Sequence, residues 1–212
     1  MADQIRLTEI DASNIDLHAR LTPEDRCFFL FEYTSGQNYD FSATNNLISN
    51  LKKKPSAPWQ SYKDKAVAQC AAVLRQTLNP DWLATATLVP VPPSKASDHP
   101  DYDPRMERIC RAIQAGLDVR SLVRQINSIA AAHECEPGHR PTVEDLLDIY
   151  QIDESLTQPA PVAIGIIDDV LTAGTHYRAM ATILGNRFPG VPIVGIFIAR
   201  RVFPTLQVDD LF

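Results

Sequence analysis

Two stretches of the chain are apolar without the alternation typical of a half-exposed strand. One runs from Val162 to Ile167 and the other from Val191 to Ala199. Such strands are covered on both faces, as in a parallel sheet with helices above and below. Two more strands are predicted, from Cys27 to Tyr33 by aromatic content and from Ala84 to Val91. The pattern predicts an α/β fold with a central, mostly parallel sheet flanked by helices.

Apolar residues at helical spacing predict the helices between these strands. They cover residues 47–51, residues 61–78, a segment from Asp103-Pro104 to Gly116, residues 142–150 and a segment after His176. Ser61, Asp103 and Thr142 are the expected N-caps, and Asp145 completes a capping box with Thr142. Lys52-Lys53-Lys54 follow the first helix and are predicted to be a solvated cap, with phosphate binding as the alternative.

Length and charge limit the possible functions. The chain has 212 residues, so we expect a single domain, or a domain with one subdomain, that buries a full core. The net charge of -6 makes nucleic acid an unexpected general partner. No signal peptide opens the sequence and the early apolar run from Cys27 to Phe31 is too short to cross a bilayer, so we expect a cytoplasmic protein without a membrane partner. The four scattered cysteines are expected to be reduced thiols.

Asp168 and Asp169 follow the first apolar stretch directly. Side chains alternate along an extended chain, so the two carboxylates cannot both face the core, and one must meet a ligand or water. Gly174 then allows a tight turn, and the next helix begins with unpaired N–H groups and the positive end of its dipole. These features predict a phosphate site beside two carboxylates, which suits a phosphorylated sugar diol. The alternative is an ordinary strand-turn-helix with solvated acids.

The order of strand, Asp-Asp, two apolar residues and Thr-x-Gly-x-x resembles the phosphoribosyl pyrophosphate (PRPP) loop of type I phosphoribosyltransferases. The resemblance implies that Asp168 and Asp169 hold the ribose hydroxyls, directly or through a Mg²⁺ ion that arrives with PRPP. The residues that it assigns to the 5-phosphate are Thr172, Ala173, Gly174, Thr175 and His176.

The loop departs from the family pattern at three positions. Ala173 stands where the family usually has Thr, and His176 where it has Thr or Ser. Two hydroxyl ligands are therefore missing, and Thr175 or the His176 ring must compensate. Purine transferases of the family often have Asp at the place of Thr172, so the sequence argues against purine salvage.

A second segment extends the resemblance. The strand that ends near Val91 runs into Pro92-Pro93, which stiffens the turn and places Ser94 and Lys95 at the sheet edge. A loop in this place binds pyrophosphate in the family, and a Val-Pro-Val-Pro segment marks its ComF-like branch, which is associated with DNA uptake. A solvated Lys95 is the alternative. Arg105 lies in a first helical turn, where the dipole opposes a cation, so we predict an anion beside it and assign pyrophosphate.

The segment from Val119 to Arg140 occupies the place of the family's mobile loop. Arg124, His133 and Arg140 are its candidates for phosphate contact. His133, Cys135 and His139 could instead ligate a metal, although their spacing matches no closed zinc pattern. Arg200 and Arg201 follow the last predicted strand, and one of them could contact the ligand. The alternative is that both are ordinary arginines at a strand end.

Taken together, the resemblance implies a type I phosphoribosyltransferase-like fold with a small N-terminal hood. Residues 1–80 would form the hood and flanking helices, and residues 84–201 the core. The expected activity is transfer of phosphoribosyl from PRPP to a nitrogen acceptor with release of pyrophosphate, in which Lys95 and Arg105 stabilise the leaving group. The partners would be PRPP and an unidentified acceptor, and the chain could form a homodimer. The alternatives are a non-catalytic PRPP or nucleotide sensor and a ComF-like protein of DNA uptake or defence.

Overall fold

The computed structural model describes residues 5–126 and 141–204, which contain one six-stranded sheet and a separate two-stranded sheet. The strands of the large sheet are β1 (Thr8–Glu9), β2 (Cys27–Thr34), β3 (Thr87–Pro90), β4 (Asp118–Val119), β7 (Ile164–Leu171) and β8 (Ile193–Val202). Their order is β1-β2-β8-β7-β3-β4. All neighbours are parallel except β1, which is antiparallel to β2. The small antiparallel sheet joins β5 (Val123–Gln125) to β6 (Tyr150–Ile152).

Helices cover both faces of the large sheet. The helices, in chain order, are α1 (Ala43–Leu51), α2 (Gln60–Thr77), α3 (Pro80–Leu83), α4 (Arg105–Ile113), α5 (Val143–Ile149) and α6 (Thr175–Arg187). Buried side chains from α1 to α4, such as Leu51, Leu74 and Ile109, form one apolar cluster with the sheet. Side chains of α5 and α6, including Leu146 and Met180, form a second cluster. The α/β fold with a mostly parallel sheet flanked by helices is therefore confirmed.

The strand predicted from Val162 exists but is displaced. Val162 is 71% exposed, and β7 begins only at Ile164. The strand then continues to Leu171, because ladder pairs such as Asp168 with Phe197 and Val170 with Ala199 keep it joined to β8. The two acids consequently lie inside the strand, and the sheet restrains their backbone.

Two other boundaries differ from the prediction. Asn79 caps the short helix α3, since its side chain accepts hydrogen bonds from the N–H groups of Asp81 and Trp82 at 2.8 and 3.2 Å. The start of β3 is thereby moved from Ala84 to Thr87. At the other end of the sheet β8 extends through Arg200 and Arg201, because both residues still pair with β2.

The predicted caps had mixed outcomes. The capping box of Thr142 and Asp145 is present. Ser61 caps nothing, because α2 begins at Gln60 after Trp59. Asp103 does not cap α4 either, since the N-cap is Pro104, and the Asp103 carboxylate is held by other side chains.

The remaining predictions on the fold are tested only in part. Cys27, Cys70 and Cys110 are buried free thiols as expected, and Cys135 lies outside the described residues. No helix in residues 5–126 and 141–204 combines the length and apolar character needed to cross a membrane. The division into a hood and a core stays a prediction, although β2, from the segment expected to hold the hood, is part of the central sheet.

Candidate functional site

The carboxyl ends of β3 and β7 lie side by side at one edge of the sheet. Pro90 pairs with Ile167, and the N–H of Val91 donates to the carbonyl of Ile167 at 3.0 Å. The chain that leaves β3 therefore starts beside Asp168. Open α/β sheets bind their ligands at this edge, so the topology places the two segments singled out in the sequence next to each other.

A cavity of about 200 Å³ opens at this edge, and we call it the acid cavity. The predicted site residues that line it are Ser94, Arg105, Asp168, Asp169, Thr172 and His176. Lys52, Asp103 and the apolar residues Val91 and Met106 complete much of its wall. Both carboxylates thus face one cavity together with the first residue of the predicted phosphate loop.

Asp169 is the most strongly bonded residue of the acid cavity. It is 4% exposed, and its Oδ2 accepts hydrogen bonds from Arg105 Nε at 2.9 Å and from a terminal nitrogen of the same guanidinium at 2.6 Å. Its Oδ1 lies 3.2 Å from Lys52 Nζ. Burial alone would raise the pKa of Asp169, but Arg105 and Lys52 outweigh it and hold the pKa below its usual value. Asp169 is therefore an ionised carboxylate between two cations.

These contacts explain why a cation lies in the first turn of α4. Arg105 donates to Asp169 and also, through its other terminal nitrogen, to Asp103 Oδ2 at 2.9 Å. The anion predicted beside Arg105 is thus supplied by the protein's own carboxylates. Asp103 Oδ2 in turn accepts a hydrogen bond from the buried Lys63 Nζ at 2.6 Å.

Asp168 has the opposite electrostatic character. Its Oδ1 accepts a hydrogen bond from the main-chain N–H of Asp169 at 2.8 Å. Burial and the neighbouring Asp169 carboxylate raise the pKa of Asp168 to about 7. The pair therefore offers one acid that is ionised at neutral pH and one that gains or loses a proton near neutral pH. An ionised carboxylate can accept a hydrogen bond from a hydroxyl.

The turn after β7 has the geometry expected of an anion site. Gly174 adopts a φ of +89° and is the N-cap residue of α6, with no side chain bonded to the first-turn N–H groups. Such a helix start offers unpaired donors and a positive dipole end. Thr172 and His176 from this segment line the acid cavity, whereas Ala173, Gly174 and Thr175 are not part of its wall.

Residues of the N-terminal segment contact this turn. The carbonyl of Thr172 lies 2.5 Å from Nδ1 of His18, which is fully buried, and the carbonyl of Ala173 accepts from the N–H of Arg20 at 2.8 Å. Leu21 packs on Gly174, where an added Cβ would lie 2.9 Å from Leu21 Cδ2. These contacts restrain the turn, and the carbonyls of Thr172 and Ala173 both have partners in the N-terminal segment.

His176 does not add positive charge to the site. Burial lowers its pKa more than the nearby Asp169 raises it, so the imidazole is neutral at pH 7. Its Nδ1 lies 2.8 Å from the hydroxyl of Tyr150, which is 2% exposed. The ring can exchange a hydrogen bond with a ligand, but it cannot replace a lost hydroxyl by charge.

Lys95 and Arg124 are not in the acid cavity. They line a neighbouring cavity of about 290 Å³ together with Arg111 and Arg120. The two cavities share Val91, Pro92, Pro93 and Met106 as walls. Arg124 lies 3.3 Å from Asp153. The structure thus separates Lys95 from the acids by the stiff proline segment, while Ser94 lines the acid cavity.

The other candidates are placed as follows. Arg200 is an ion-pair partner of Glu32 and lies over the ring of Phe29, at 4.9 Å from its centre. Its Nε and one terminal nitrogen are buried without a hydrogen-bond partner among the described residues. His133 and Arg140, and with them the metal alternative of His133, Cys135 and His139, lie outside the described residues. Within 5–126 and 141–204, no group of three or more potential ligands could hold a metal by itself.

Sequence reasoning missed several residues around this site. Lys52 was assigned to a solvated cap, yet it reaches Asp169. His18 and Lys63 carried no signal in the sequence, because an isolated His or Lys is ordinarily an exposed residue. Only the contacts between distant segments identify them.

The sequence matches no protein-family model and no curated protein.

Proposed function

We propose that this protein is a PRPP-dependent phosphoribosyltransferase of the type I family, in its ComF-like branch. It would transfer phosphoribosyl to a nitrogen acceptor, a base or an amine, and release pyrophosphate. The proposal rests on the cavity that Asp168, Asp169 and Thr172 line together at the carboxyl end of β7. Gly174, which has a left-handed backbone conformation, follows in the chain and begins α6. Carboxylates for a diol and a helix start for a phosphate thus follow each other along one strand, turn and helix.

The chain's own residues would mainly position the substrate. Asp168 and Asp169 would accept hydrogen bonds from the ribose hydroxyls, and the first-turn N–H groups of α6, with Thr172 and Thr175, would donate to the 5-phosphate. Arg105, Lys95 and Ser94 would contact the pyrophosphate. The resemblance assigns further phosphate contacts to Arg124, His133 and Arg140, of which the last two lie outside the described residues. In the reaction the C1–O bond to pyrophosphate breaks, the C1–N bond forms, and the acceptor nitrogen loses its proton. Oriented reactants and cations beside the leaving oxygens lower the barrier.

The donor set fits a Mg²⁺ ion that comes with the substrate. Carboxylate oxygens are suitable ligands, and Mg²⁺ is commonly bound by one or two carboxylates plus substrate phosphates. Asp168 and Asp169 are the two that would hold it, and the described residues offer no third His, Cys, Asp or Glu that completes a metal site with them. When bound, the ion would neutralise charge on the pyrophosphate.

A second function, binding of PRPP or a nucleotide without transfer, is favoured by specific features. Ala173 supplies no hydroxyl to the phosphate loop, and the neutral His176 supplies no charge. Asp169 already has two cationic partners, which a substrate must displace. A sensor tolerates these features more readily than an enzyme.

The two functions are separated by one pair of measurements. Pyrophosphate release from PRPP is assayed with a panel of bases and amines in Mg²⁺, and PRPP binding is measured by calorimetry. Turnover with any acceptor supports the enzyme. Binding without turnover supports the sensor, and absence of PRPP binding removes both.

A further inference from the structure

Lys63, on α2, is an unusual residue because its side chain is fully enclosed. It is 1% exposed, although lysine is among the residues least often buried. Its Nζ donates to the carbonyl of Lys53 and to Asp103 Oδ2, both at 2.6 Å. An ammonium group at this depth is stable only when it is paired and hydrogen-bonded, so both contacts are structurally required.

The first contact connects Lys63 to one cation of the acid cavity. Lys53 directly follows Lys52, which is the C-cap residue of α1, and the N–H of Lys52 donates to the carbonyl of Ile48 at 3.0 Å. Lys63 therefore holds the main chain just beyond the point from which the Lys52 side chain extends. That side chain reaches Asp169 while 46% of it stays exposed, so its ammonium group can change partner at little cost.

The second contact connects Lys63 to the other cation. One oxygen of Asp103 accepts from Lys63 and from Arg105, at 2.6 and 2.9 Å. Arg105 is thereby held from one side by Asp103 and from the other by Asp169. The buried ammonium group of Lys63 is therefore connected to both cations that contact Asp169, to Lys52 through the main chain of Lys53 and to Arg105 through Asp103.

We propose that Lys63 is a positioning residue, which holds Lys52 and Arg105 at the acid cavity so that both can move from Asp169 to the phosphoryl oxygens of a bound ligand. The proposal rests on the proposed function and adds Lys52 as a residue that contacts the ligand's pyrophosphate. Cations that are already in place lose less conformational freedom when an anion binds. The N-terminal helices would in this way contribute to a site that otherwise comes from the carboxyl ends of β3 and β7 and the segments that follow them.

The test is calorimetric titration of Lys63→Met with PRPP, pyrophosphate and ribose 5-phosphate. Methionine keeps most of the side-chain volume and removes the charge. We expect the affinity for pyrophosphate and PRPP to fall about tenfold or more, and that for ribose 5-phosphate by less than about threefold, because only the first two ligands carry the group that Lys52 and Arg105 meet. Equal weakening of all three ligands, or a lower melting temperature with unchanged affinities, would show a purely structural role and overturn the proposal.

Two further variants provide controls. Lys65 is exposed on the same helix, and Lys65→Met should bind all three ligands as the wild type does. Asp103→Asn keeps an acceptor for Lys63 but weakens the connection to Arg105, so it should reproduce part of the pyrophosphate loss even if Lys63→Met does not fold. In the double variant the two losses should add only in part, because the effect on Arg105 runs through the shared Asp103 oxygen, whereas the effect on Lys52 runs through the Lys53 carbonyl.

Titration with pyrophosphate alone separates this proposal from the proposed function. If the wild type binds pyrophosphate but not PRPP, the proposed function fails, and a loss of pyrophosphate affinity of about tenfold in Lys63→Met still supports the positioning role. Unchanged pyrophosphate affinity in Lys63→Met contradicts the positioning role, whether or not PRPP binds. A wild type that binds neither ligand overturns both proposals.

Discussion

Leu21 lies against the α-carbon of Gly174, so that a β-carbon at Gly174 would be 2.9 Å from Leu21 Cδ2 and 3.1 Å from Cγ. The contact joins the N-terminal segment to the turn in front of α6. Gly174 also has a φ of +89°, which disfavours any residue with a side chain. Two independent constraints therefore require glycine at this position.

We predict that Gly174→Ala destabilises the protein by about 2 to 4 kcal/mol and weakens PRPP binding, because both the backbone angle and the Leu21 contact oppose the methyl group. Gly190 is the matched control, since it has a φ of +82° and open space where a β-carbon would lie. Gly190→Ala should cost only the backbone contribution, about 1 kcal/mol. Chemical denaturation measures the free energy of unfolding of both variants. An equal loss in Gly174→Ala and Gly190→Ala would mean that the Leu21 contact contributes nothing.

Asp168 should make stability depend on pH. Its pKa is raised to about 7 from an ordinary value of 3.8, so the folded state binds its proton more tightly than the unfolded state does. Stability from this group is fully present below about pH 4 and is lost as pH rises through about 7. Asp168→Asn keeps an acceptor for the Asp169 N–H and removes the ionisation. We expect the variant to be more stable than the wild type at pH 8, by on the order of 2 kcal/mol after allowance for partial exposure.

Denaturation curves at about pH 5 and about pH 8, on either side of the raised pKa, test this prediction. The difference in unfolding free energy between the two pH values should be smaller in Asp168→Asn than in the wild type. A difference of the same size in both proteins would mean that the Asp168 pKa is not raised.

Asp169→Asn should affect both binding and stability. The carboxylate balances Arg105 and Lys52, and its removal leaves a largely buried guanidinium with one anionic partner fewer. We expect PRPP binding to be lost and the free energy of unfolding to fall by about 3 kcal/mol. Asp64→Asn is the control, because Asp64 pairs with Arg108 on the surface, where such a pair contributes about 0 to 1 kcal/mol. Unchanged PRPP affinity in Asp169→Asn would exclude the acids from the ligand site.

Lys95→Ala tests whether the neighbouring cavity takes part in pyrophosphate binding. If Lys95 reaches the pyrophosphate across the proline segment, the variant should weaken PRPP binding far more than ribose 5-phosphate binding, by about tenfold. Lys95 lines the other cavity, so this outcome requires the ligand to extend past Ser94. The affinities of Lys95→Ala for PRPP and for ribose 5-phosphate are measured by calorimetry. An equal loss of affinity for both ligands would contradict the pyrophosphate role of Lys95.

The sequence by itself determined the elements whose signal is local. Uninterrupted apolar runs predicted β7 and β8, and apolar residues at helical spacing predicted α4, whose buried side includes Met106, Ile109 and Ile113. The adjacent acids and Gly174 likewise predicted where the candidate site lies. Each of these signals depends on residues that are close in the chain, because strand burial, helix periodicity and a tight turn are local properties.

Tertiary structure alone decided which cations meet these acids. Arg105 comes from α4 and Lys52 from the end of α1, and both reach Asp169 because the sheet brings their helices over the same strand edge. Lys95 looked equivalent to Arg105 in the sequence, but it lies in the neighbouring cavity. Pairing between charges depends on distances of a few ångströms between segments far apart in the chain. For the same reason the roles of His18 and Lys63 emerged only from the folded chain.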